Sequence, residues 1–217
     1  AGTGSNSTQE AIELTQRAQK IGADGALLIT PYYNKPTQEG LFQHFSAVAK
    51  ETDLPIILYN VPSRTSINMV SSTVARLSSV RNIVGIKEAS GSLVQVSEII
   101  DSCGPDFEVI SGEDALTWPI LAIGGKGTIS VTANLVPDKC AKMCRAAREG
   151  DVDKAKELHY ELLKLNDILF IETNPIPVKA ALALMGRIQN EFRPPLCAPT
   201  EEHLSQLKAM LETYELL

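Results

Sequence analysis

A repeating unit limits the fold of this chain more than any other feature of its sequence. An apolar run rich in β-branched residues is followed by an amphipathic stretch, and the pattern is typical of βα units on a parallel sheet. Strands covered on both faces are almost continuously apolar, as these runs are. The predicted strands are 25–30, 55–60, 83–87, 107–111 and 127–131.

The stretches between the strands carry apolar residues at helical spacing. The first of them begins with Ser7 and Glu10 at the spacing of a capping box, and its stripe consists of Ala11, Leu14, Ala18 and Ile21. After Asn134 the alternation ends, and only helices are predicted, at 137–149, 152–171, 175–185 and 201–214. We therefore expect two domains, residues 1–150 forming part of a barrel and residues 151–217 forming a C-terminal helical domain.

Two parallel architectures fit five such units. An open doubly wound sheet would be expected to carry a GxGxxG or GxxxxGK[ST] loop after a strand, and no strand here is followed by one. An α/β fold of the (β/α)8 barrel type is the better prediction. The opening AGTG resembles a turn that follows a strand, so we expect strands upstream of this sequence.

Bulk composition excludes several classes of partner. The net charge of −6 disfavours a nucleic acid, because phosphate backbones require clustered lysine and arginine. The sequence contains no apolar run of the roughly 20 residues needed to cross a bilayer, and its opening lacks the features of a signal peptide. We expect a cytoplasmic protein with four reduced cysteines and, since no ligand cluster is visible, no metal.

Chemistry in a barrel is built at the carboxyl ends of the strands, and Lys87 ends the third predicted strand. Strand alternation places Lys87 on one face with Ile83 and Gly85. A lysine removed from water has a lowered pKa, and its free amine is a nucleophile suited to imine formation with a carbonyl. The alternative is a lysine paired with a buried carboxylate such as Glu88 or Asp114.

Two further strand-end residues fit carbonyl chemistry. Alternation along 55–60 places Tyr59 beside Lys87 on the neighbouring strand, where its hydroxyl could transfer protons; the alternative is a core tyrosine with a satisfied hydroxyl. Arg64 lies in the loop that follows, where its guanidinium could bind a carboxylate in bidentate fashion. Its alternative role is that of a solvated loop charge.

Four strings in the sequence carry a family resemblance. They are PYYNKP (31–36), YNVPSRT (59–65), GIKEASG (85–91) and NPIPVKAAL (174–182), with SGED and SVTAN between the last two. Together these strings resemble the dihydrodipicolinate synthase family along essentially the whole chain. The resemblance implies a (β/α)8 barrel with a C-terminal helical domain, in which the five visible strands are the fourth to the eighth. It also implies a lyase that condenses pyruvate with L-aspartate 4-semialdehyde, giving 4-hydroxy-tetrahydrodipicolinate for lysine and diaminopimelate biosynthesis.

The resemblance implies a role for each matching site residue. Lys87 matches the Schiff-base lysine, Tyr59 the catalytic tyrosine, and Arg64 the arginine that receives the carboxylate of the second substrate. Gly112 and Ile129 match positions that line the pyruvate pocket. No cofactor is expected, because the protonated imine itself serves as the electron sink.

The resemblance also implies contacts between subunits. Tyr33 matches a catalytic tyrosine that reaches across a tight dimer interface, which implies a homodimer, usually paired into a homotetramer. Asn6, Glu10 and Tyr32 match positions at which some members bind lysine as an inhibitor. Asn6 and Glu10 are equally well explained as helix-cap residues.

The family pattern includes strands and a glycine-threonine motif upstream of AGTG. That motif carries the threonine of the family's proton relay, so we expect a chain of this extent to be poorly active. Two alternatives stay open: an N-acetylneuraminate lyase or keto-deoxy-sugar-acid aldolase, which Arg64 disfavours, and a non-catalytic interaction or regulatory fragment.

Overall fold

The computed structural model describes residues 1–217 and contains one five-stranded sheet, in which every pair of neighbours is parallel and the order follows the chain. The backbone separates into two compact units, Ala1–Ile129 and Ser130–Leu217. The domain boundary expected at residue 150 stays a prediction. The strands of the first unit are β1 (Ala26–Ile29), β2 (Ile56–Asn60), β3 (Ile83–Glu88), β4 (Glu108–Ser111) and β5 (Gly127–Thr128).

One helix precedes β1 and others follow β1 to β4, as the periodicity predicted. They are α1 (Thr8–Lys20), α2 (Gln38–Lys50), α3 (Pro62–Thr65), α4 (Ser71–Ser78), α5 (Leu93–Cys103) and α6 (Thr117–Ala122). α3 was predicted as loop, because four residues are too few to show a helical period. β5 is three residues shorter than predicted, since the chain passes from Ile129, whose N–H still bonds the Ser111 carbonyl, into the 3₁₀ turn at Thr132–Asn134.

The apolar stripe predicted for α1 is wrong at two positions. Ala11 and Ala18 are buried, but Leu14 is 44% exposed and Ile21 is 79% exposed. Thr15 occupies the inner face instead, because its hydroxyl lies 2.9 Å from Thr3 Oγ1 and donates to the Ala11 carbonyl at 2.7 Å. A satisfied hydroxyl lets this polar residue be buried at little cost.

The core of the first unit lies between the sheet and its helices. Ile56 and Leu58 on β2 are fully buried, as are Phe45 on α2 and Ile99 on α5. Each side chain of this size contributes about 1.5–3 kcal/mol when it is removed from water. This packing holds the strand ends at fixed positions.

A register shift between β2 and β3 places one residue of β3 on a different face of the sheet from the one predicted. Ile56 pairs with Ile83, but Ile57 pairs with Gly85, so the ladder skips one residue of β3. Ile83 therefore shares a face with Ile56 and is buried in the helix-side core, not on the face of Lys87 as alternation predicted. Simple alternation fails there because an irregularity inserts one extra residue into a strand.

The second unit contains α7 (Pro137–Glu149), α8 (Val152–Ile168), α9 (Ile176–Leu184) and α10 (Glu201–Thr213). Gly150 ends α7 in the left-handed conformation, and the Asp151 side chain accepts the Lys154 N–H at the start of α8. α9 begins one residue later than the predicted 175, because Pro175 is its N-cap residue. None of the helices in the chain combines the length and apolar character needed to cross a membrane.

Gly85 provides a stability prediction for the sheet. A β-carbon at this position would overlap the Glu108 carbonyl oxygen and approach the Glu108 Cβ to 2.9 Å, so β4 would have to move. We expect Gly85→Ala to lower the free energy of unfolding by about 3 kcal/mol, the upper part of the range for overpacking. Urea denaturation measures this loss. Gly127→Ala is the control, since a β-carbon there meets nothing within 4 Å, and equal losses in both variants would contradict the prediction.

Candidate active site

The carboxyl ends of the five strands lie side by side in the first unit. Tyr59 pairs with Lys87 across β2 and β3, and Lys87 pairs with Ile110 across β3 and β4. Beyond the strand ends, the Gly112 N–H donates to the Glu88 carbonyl at 2.8 Å, and the Ile129 N–H donates to the Ser111 carbonyl at 3.0 Å. Four of the predicted site residues therefore lie on one edge of the sheet.

Lys87 and Tyr59 are in direct contact. The Lys87 Nζ lies 4.2 Å from the centroid of the Tyr59 ring, a distance typical of cation–π pairs. The prediction that Tyr59 stands beside Lys87 is confirmed by this contact and by the register. A positive charge on Lys87, or on an imine formed from it, would face the electron-rich ring.

The surroundings of Lys87 favour its neutral amine. Burial lowers the pKa of Lys87, and the positive charge of Arg64 lowers it further, while the carboxylates of Asp114 and Glu113 act in the opposite direction. Burial likewise raises the pKa of the Tyr59 hydroxyl, an effect that Arg64 opposes and Glu113 reinforces. Both shifts favour the uncharged form, which is the nucleophilic amine for Lys87 and the protonated phenol for Tyr59.

Glu88 is not the partner of Lys87, which excludes one of the two carboxylates considered for that role. Its carboxylate is 1% exposed and accepts the Ser90 N–H at 2.6 Å, together with the side-chain amides of Asn60 at 3.0 Å and Gln95 at 3.3 Å. These donors lie on the side of β3 away from Lys87, since adjacent strand residues point in opposite directions. Sequence reasoning missed this network, although the GIKEASG string contains its central residue.

Gly112 packs against the lysine. A β-carbon built on Gly112 would lie 3.0 Å from the Lys87 Cε, 2.8 Å from the Ala89 Cβ and 3.2 Å from the Glu88 carbonyl oxygen. A side chain at this position would therefore push the lysine stem aside. The absence of a β-carbon is what lets Lys87 lie against the end of β4.

Glu113 is a second residue that sequence reasoning missed. It follows Gly112 in the SGED string, and its pKa is raised by burial and by the neighbouring Asp114 carboxylate, against the lowering effect of Lys87. The charges of Glu113, Arg64 and Lys87 influence one another, so the three side chains share one electrostatic environment. Its position just past a strand end was the signal available in the sequence.

The segment that carries Tyr32 and Tyr33 leaves β1 and turns back toward the start of α1. The Asn34 side-chain amide donates to the Asn6 carbonyl at 2.8 Å, which ties the two segments together. Tyr33 is 90% exposed and has a φ of 70°, while Tyr32 is 42% exposed. Tyr33 thus projects from this unit and is not packed into the Lys87 site.

Glu10 has a different partner from the one that a capping box predicts. Ser7 caps α1 by accepting the Glu10 N–H at 3.4 Å, as expected, but the Glu10 carboxylate accepts the Ser5 hydroxyl at 2.7 Å. The Ser7 N–H donates to Ser5 Oγ instead, at 3.2 Å. The reciprocal half of the predicted capping box is therefore wrong, because Ser5 intervenes.

Comparison with known proteins matches the chain to one family. The model of the dihydrodipicolinate synthetase family matches residues 1–214. A 4-hydroxy-tetrahydrodipicolinate synthase of Nitratidesulfovibrio vulgaris (strain DP4) is 57% identical over 212 residues, covering 97% of this chain and 73% of the relative.

Solved structures extend the agreement to the backbone. The dihydrodipicolinate synthase of Aquifex aeolicus superposes with a TM-score of 0.98 at 49% identity, covering 100% of this chain and 74% of that one. The chloride-inhibited enzyme of Acinetobacter baumannii, complexed with pyruvate, has a TM-score of 0.98 at 46% identity over 100% of this chain and 75% of that one. The predicted (β/α)8 class is confirmed, and the chain belongs to the dihydrodipicolinate synthetase family.

Proposed function

We propose that Lys87, Tyr59 and Arg64 carry out the reaction of this family, in which a lyase condenses pyruvate with L-aspartate 4-semialdehyde to give 4-hydroxy-tetrahydrodipicolinate for lysine biosynthesis. The observation that carries the proposal is the contact between the half-buried Lys87 amine and the Tyr59 ring at 4.2 Å. The pyruvate bound to the Acinetobacter baumannii relative supports the choice of first substrate.

The first half of the reaction uses Lys87 and Tyr59. The neutral Nζ attacks the ketone carbon of pyruvate, and the hydroxyl group of the resulting carbinolamine leaves as water after it receives a proton. Tyr59 moves protons in this step, since its phenol is protonated and adjacent. Loss of a methyl proton then gives an enamine, and the electron pair moves into the imine nitrogen, so no organic cofactor or metal is needed.

The second half of the reaction requires the aldehyde to be oriented. The enamine carbon attacks the aldehyde carbon of the semialdehyde, and the amino group of that substrate then displaces Lys87 as the ring closes. Arg64 receives the carboxylate of the semialdehyde, a pairing that suits a guanidinium because two parallel N–H donors meet two oxygens. Gly112 and Ile129 line the part of the pocket that holds pyruvate.

Further proposals concern the surface around Tyr32 and Tyr33. The exposure of Tyr33 supports a role in which it enters the site of a second copy of this chain in a homodimer or homotetramer. Asn6, Glu10 and Tyr32 are proposed to bind lysine at the same interface, and the hydrogen bond from Asn34 to Asn6 brings these segments together. We also place the enzyme in the cytoplasm, where the sequence prediction put it.

Borohydride trapping tests the nucleophile. The protein is incubated with pyruvate, reduced, digested and mapped by mass spectrometry, and the pyruvate-derived adduct is expected on Lys87. Because burial lowers the pKa of Lys87, the rate of trapping should rise with pH and reach its midpoint below about 10.4, the ordinary lysine value. Nα-acetyl-lysine in the same buffers is the control. An adduct on another lysine, or a midpoint equal to that of the free amine, would contradict the assignment.

Arg64→Ala separates the proposed reaction from that of a sialate-type or sugar-acid aldolase. We expect kcat/KM for the semialdehyde to fall by about 10²-fold, since a charge-assisted pair contributes about 1.5–3 kcal/mol, while pyruvate trapping on Lys87 continues. Steady-state kinetics with varied semialdehyde measures the fall. Arg76→Ala is the control, because Arg76 pairs with Glu39 on the exposed surface. Unchanged turnover in Arg64→Ala would favour the sugar-acid alternative.

A further inference from the structure

The helix that carries Arg64 is too short to be stable by itself. α3 has four residues, begins with Pro62 and ends at Thr65, and its C-cap residue Ser66 has a left-handed φ of 58°. The Arg64 and Thr65 N–H groups both donate to the Val61 carbonyl, at 2.9 and 3.1 Å, and the Ser66 N–H donates to the Pro62 carbonyl at 2.9 Å. Because a single turn fixes several dihedral angles for very few hydrogen bonds, such a helix requires tertiary contacts.

Thr65 supplies a buried contact for this helix. It is 1% exposed, whereas its neighbours Ser63, Arg64 and Ser66 are exposed, and it is the buried residue of α3. Its hydroxyl lies 3.2 Å from the Val61 carbonyl and 3.1 Å from the Ile67 carbonyl. A hydroxyl carries one hydrogen but can also accept, so Thr65 donates to one of these carbonyls while an acceptor site stays open.

Thr30 fills that acceptor site. Its hydroxyl donates to Thr65 Oγ1 at 3.2 Å, and the residue is 0% exposed. Thr30 directly follows β1, and its N–H donates to the Tyr59 carbonyl at 3.0 Å. The two hydroxyls therefore connect the helix that bears Arg64 to the strand ends that bear Tyr59 and Lys87.

We propose that Thr65, held by Thr30, is a positioning residue that fixes Arg64 at the distance from Lys87 needed to receive the carboxylate of the second substrate. The inference rests on the proposed function, and it assigns specificity for the aldehyde to a hydroxyl pair that touches neither substrate. A guanidinium that binds in bidentate fashion is sensitive to small displacements, because two hydrogen bonds must be aligned at once. The pair acts on the second half of the reaction and has little effect on imine formation, because burial, Asp114 and Glu113 each influence the pKa of Lys87 more than Arg64 does.

Thr65→Val tests the proposal, because valine keeps the shape and loses the hydroxyl. We expect the KM for the semialdehyde to rise about five- to tenfold, the equivalent of one lost buried hydrogen bond, while the rate of pyruvate trapping on Lys87 changes less than about twofold. Thr65→Ser keeps the hydroxyl and should restore the KM. Thr73→Val is the matched control, since Thr73 is also buried but its hydroxyl donates to Gln38 Oε1 on α2 at 2.7 Å.

Each other outcome overturns the proposal in a recognisable way. If Thr65→Val lowers the unfolding midpoint as Thr73→Val does but leaves the KM unchanged, the hydroxyl is structural only. If the trapping rate falls as much as aldehyde turnover, the two threonine hydroxyls stabilise the whole site and do not position Arg64 in particular. If Thr65→Val fails to fold, Thr30→Val examines the same contact from the other side and is judged by the same KM. Absence of trapping in the unsubstituted protein would instead refute the proposed function, on which this inference depends.

Discussion

Lys87→Met is expected to abolish borohydride trapping with pyruvate and to lower kcat/KM by at least about four orders of magnitude, as losing a covalent nucleophile does in other enzymes. Methionine keeps the unbranched apolar stem that packs against Gly112 and the Tyr59 ring, but it has no amine to attack the ketone. The loss should therefore be chemical, with little change in stability. Single-turnover trapping and urea denaturation measure the two quantities separately.

Lys126→Met is the matched control for this variant. Lys126 is exposed and lies just before β5, at the end of the sheet opposite the site. Its removal changes the net charge by the same amount and should leave trapping unaltered. Pyruvate trapping that persists in a folded Lys87→Met protein would show that another amine forms the imine.

Gly112→Ala has the second-largest expected effect, because the new methyl group would compete with the lysine for space. That methyl group would lie 3.0 Å from the Lys87 Cε and 2.8 Å from the Ala89 Cβ, both closer than side chains normally approach. A displacement of the reacting atom by about 1 Å can reduce the rate about 10²-fold, and overpacking costs about 1–3 kcal/mol of stability. We expect both losses, which trapping kinetics and denaturation measure.

Ala89→Gly combined with Gly112→Ala sharpens this test. Removing the Ala89 methyl group relieves the contact at 2.8 Å but leaves the one with Lys87, so stability should recover more than the trapping rate. Gly127→Ala is the neutral control, because a β-carbon there is unobstructed. Equal recovery of stability and rate in the double variant would show that the lysine contact does not limit the chemistry.

Much of the catalytic edge could be predicted from residues 55–60 and 83–87. Two apolar runs with polar ends place Tyr59 and Lys87 at equivalent ends of adjacent parallel strands, and the register pairs these residues directly. Arg64 was predicted at the same edge because it follows its strand within a few residues. Local pattern was sufficient here, since the positions depend on sequence neighbours.

Other features could not be predicted from local pattern. The move of Ile83 to the core face follows from a register shift between two strands, and the burial of Thr15 in place of Leu14 follows from a hydroxyl partner on another segment. The amide network around Glu88 joins residues from two strands, a loop and α5. Each depends on contacts between residues that are distant in the sequence. The strand or helix period of a single segment does not predict such contacts.

The sequence by itself determined the succession of strands and helices and the arrival of Tyr59 and Lys87 at the ends of their strands, because apolar spacing and the pleat are properties of neighbouring residues. Only the tertiary structure decided how close Gly112 lies to the lysine stem and how Thr30 holds the helix of Arg64. Those distances arise where separate segments pack together. Packing depends on the shapes of all the neighbours at once and is therefore settled by the folded chain, not by any one stretch of it.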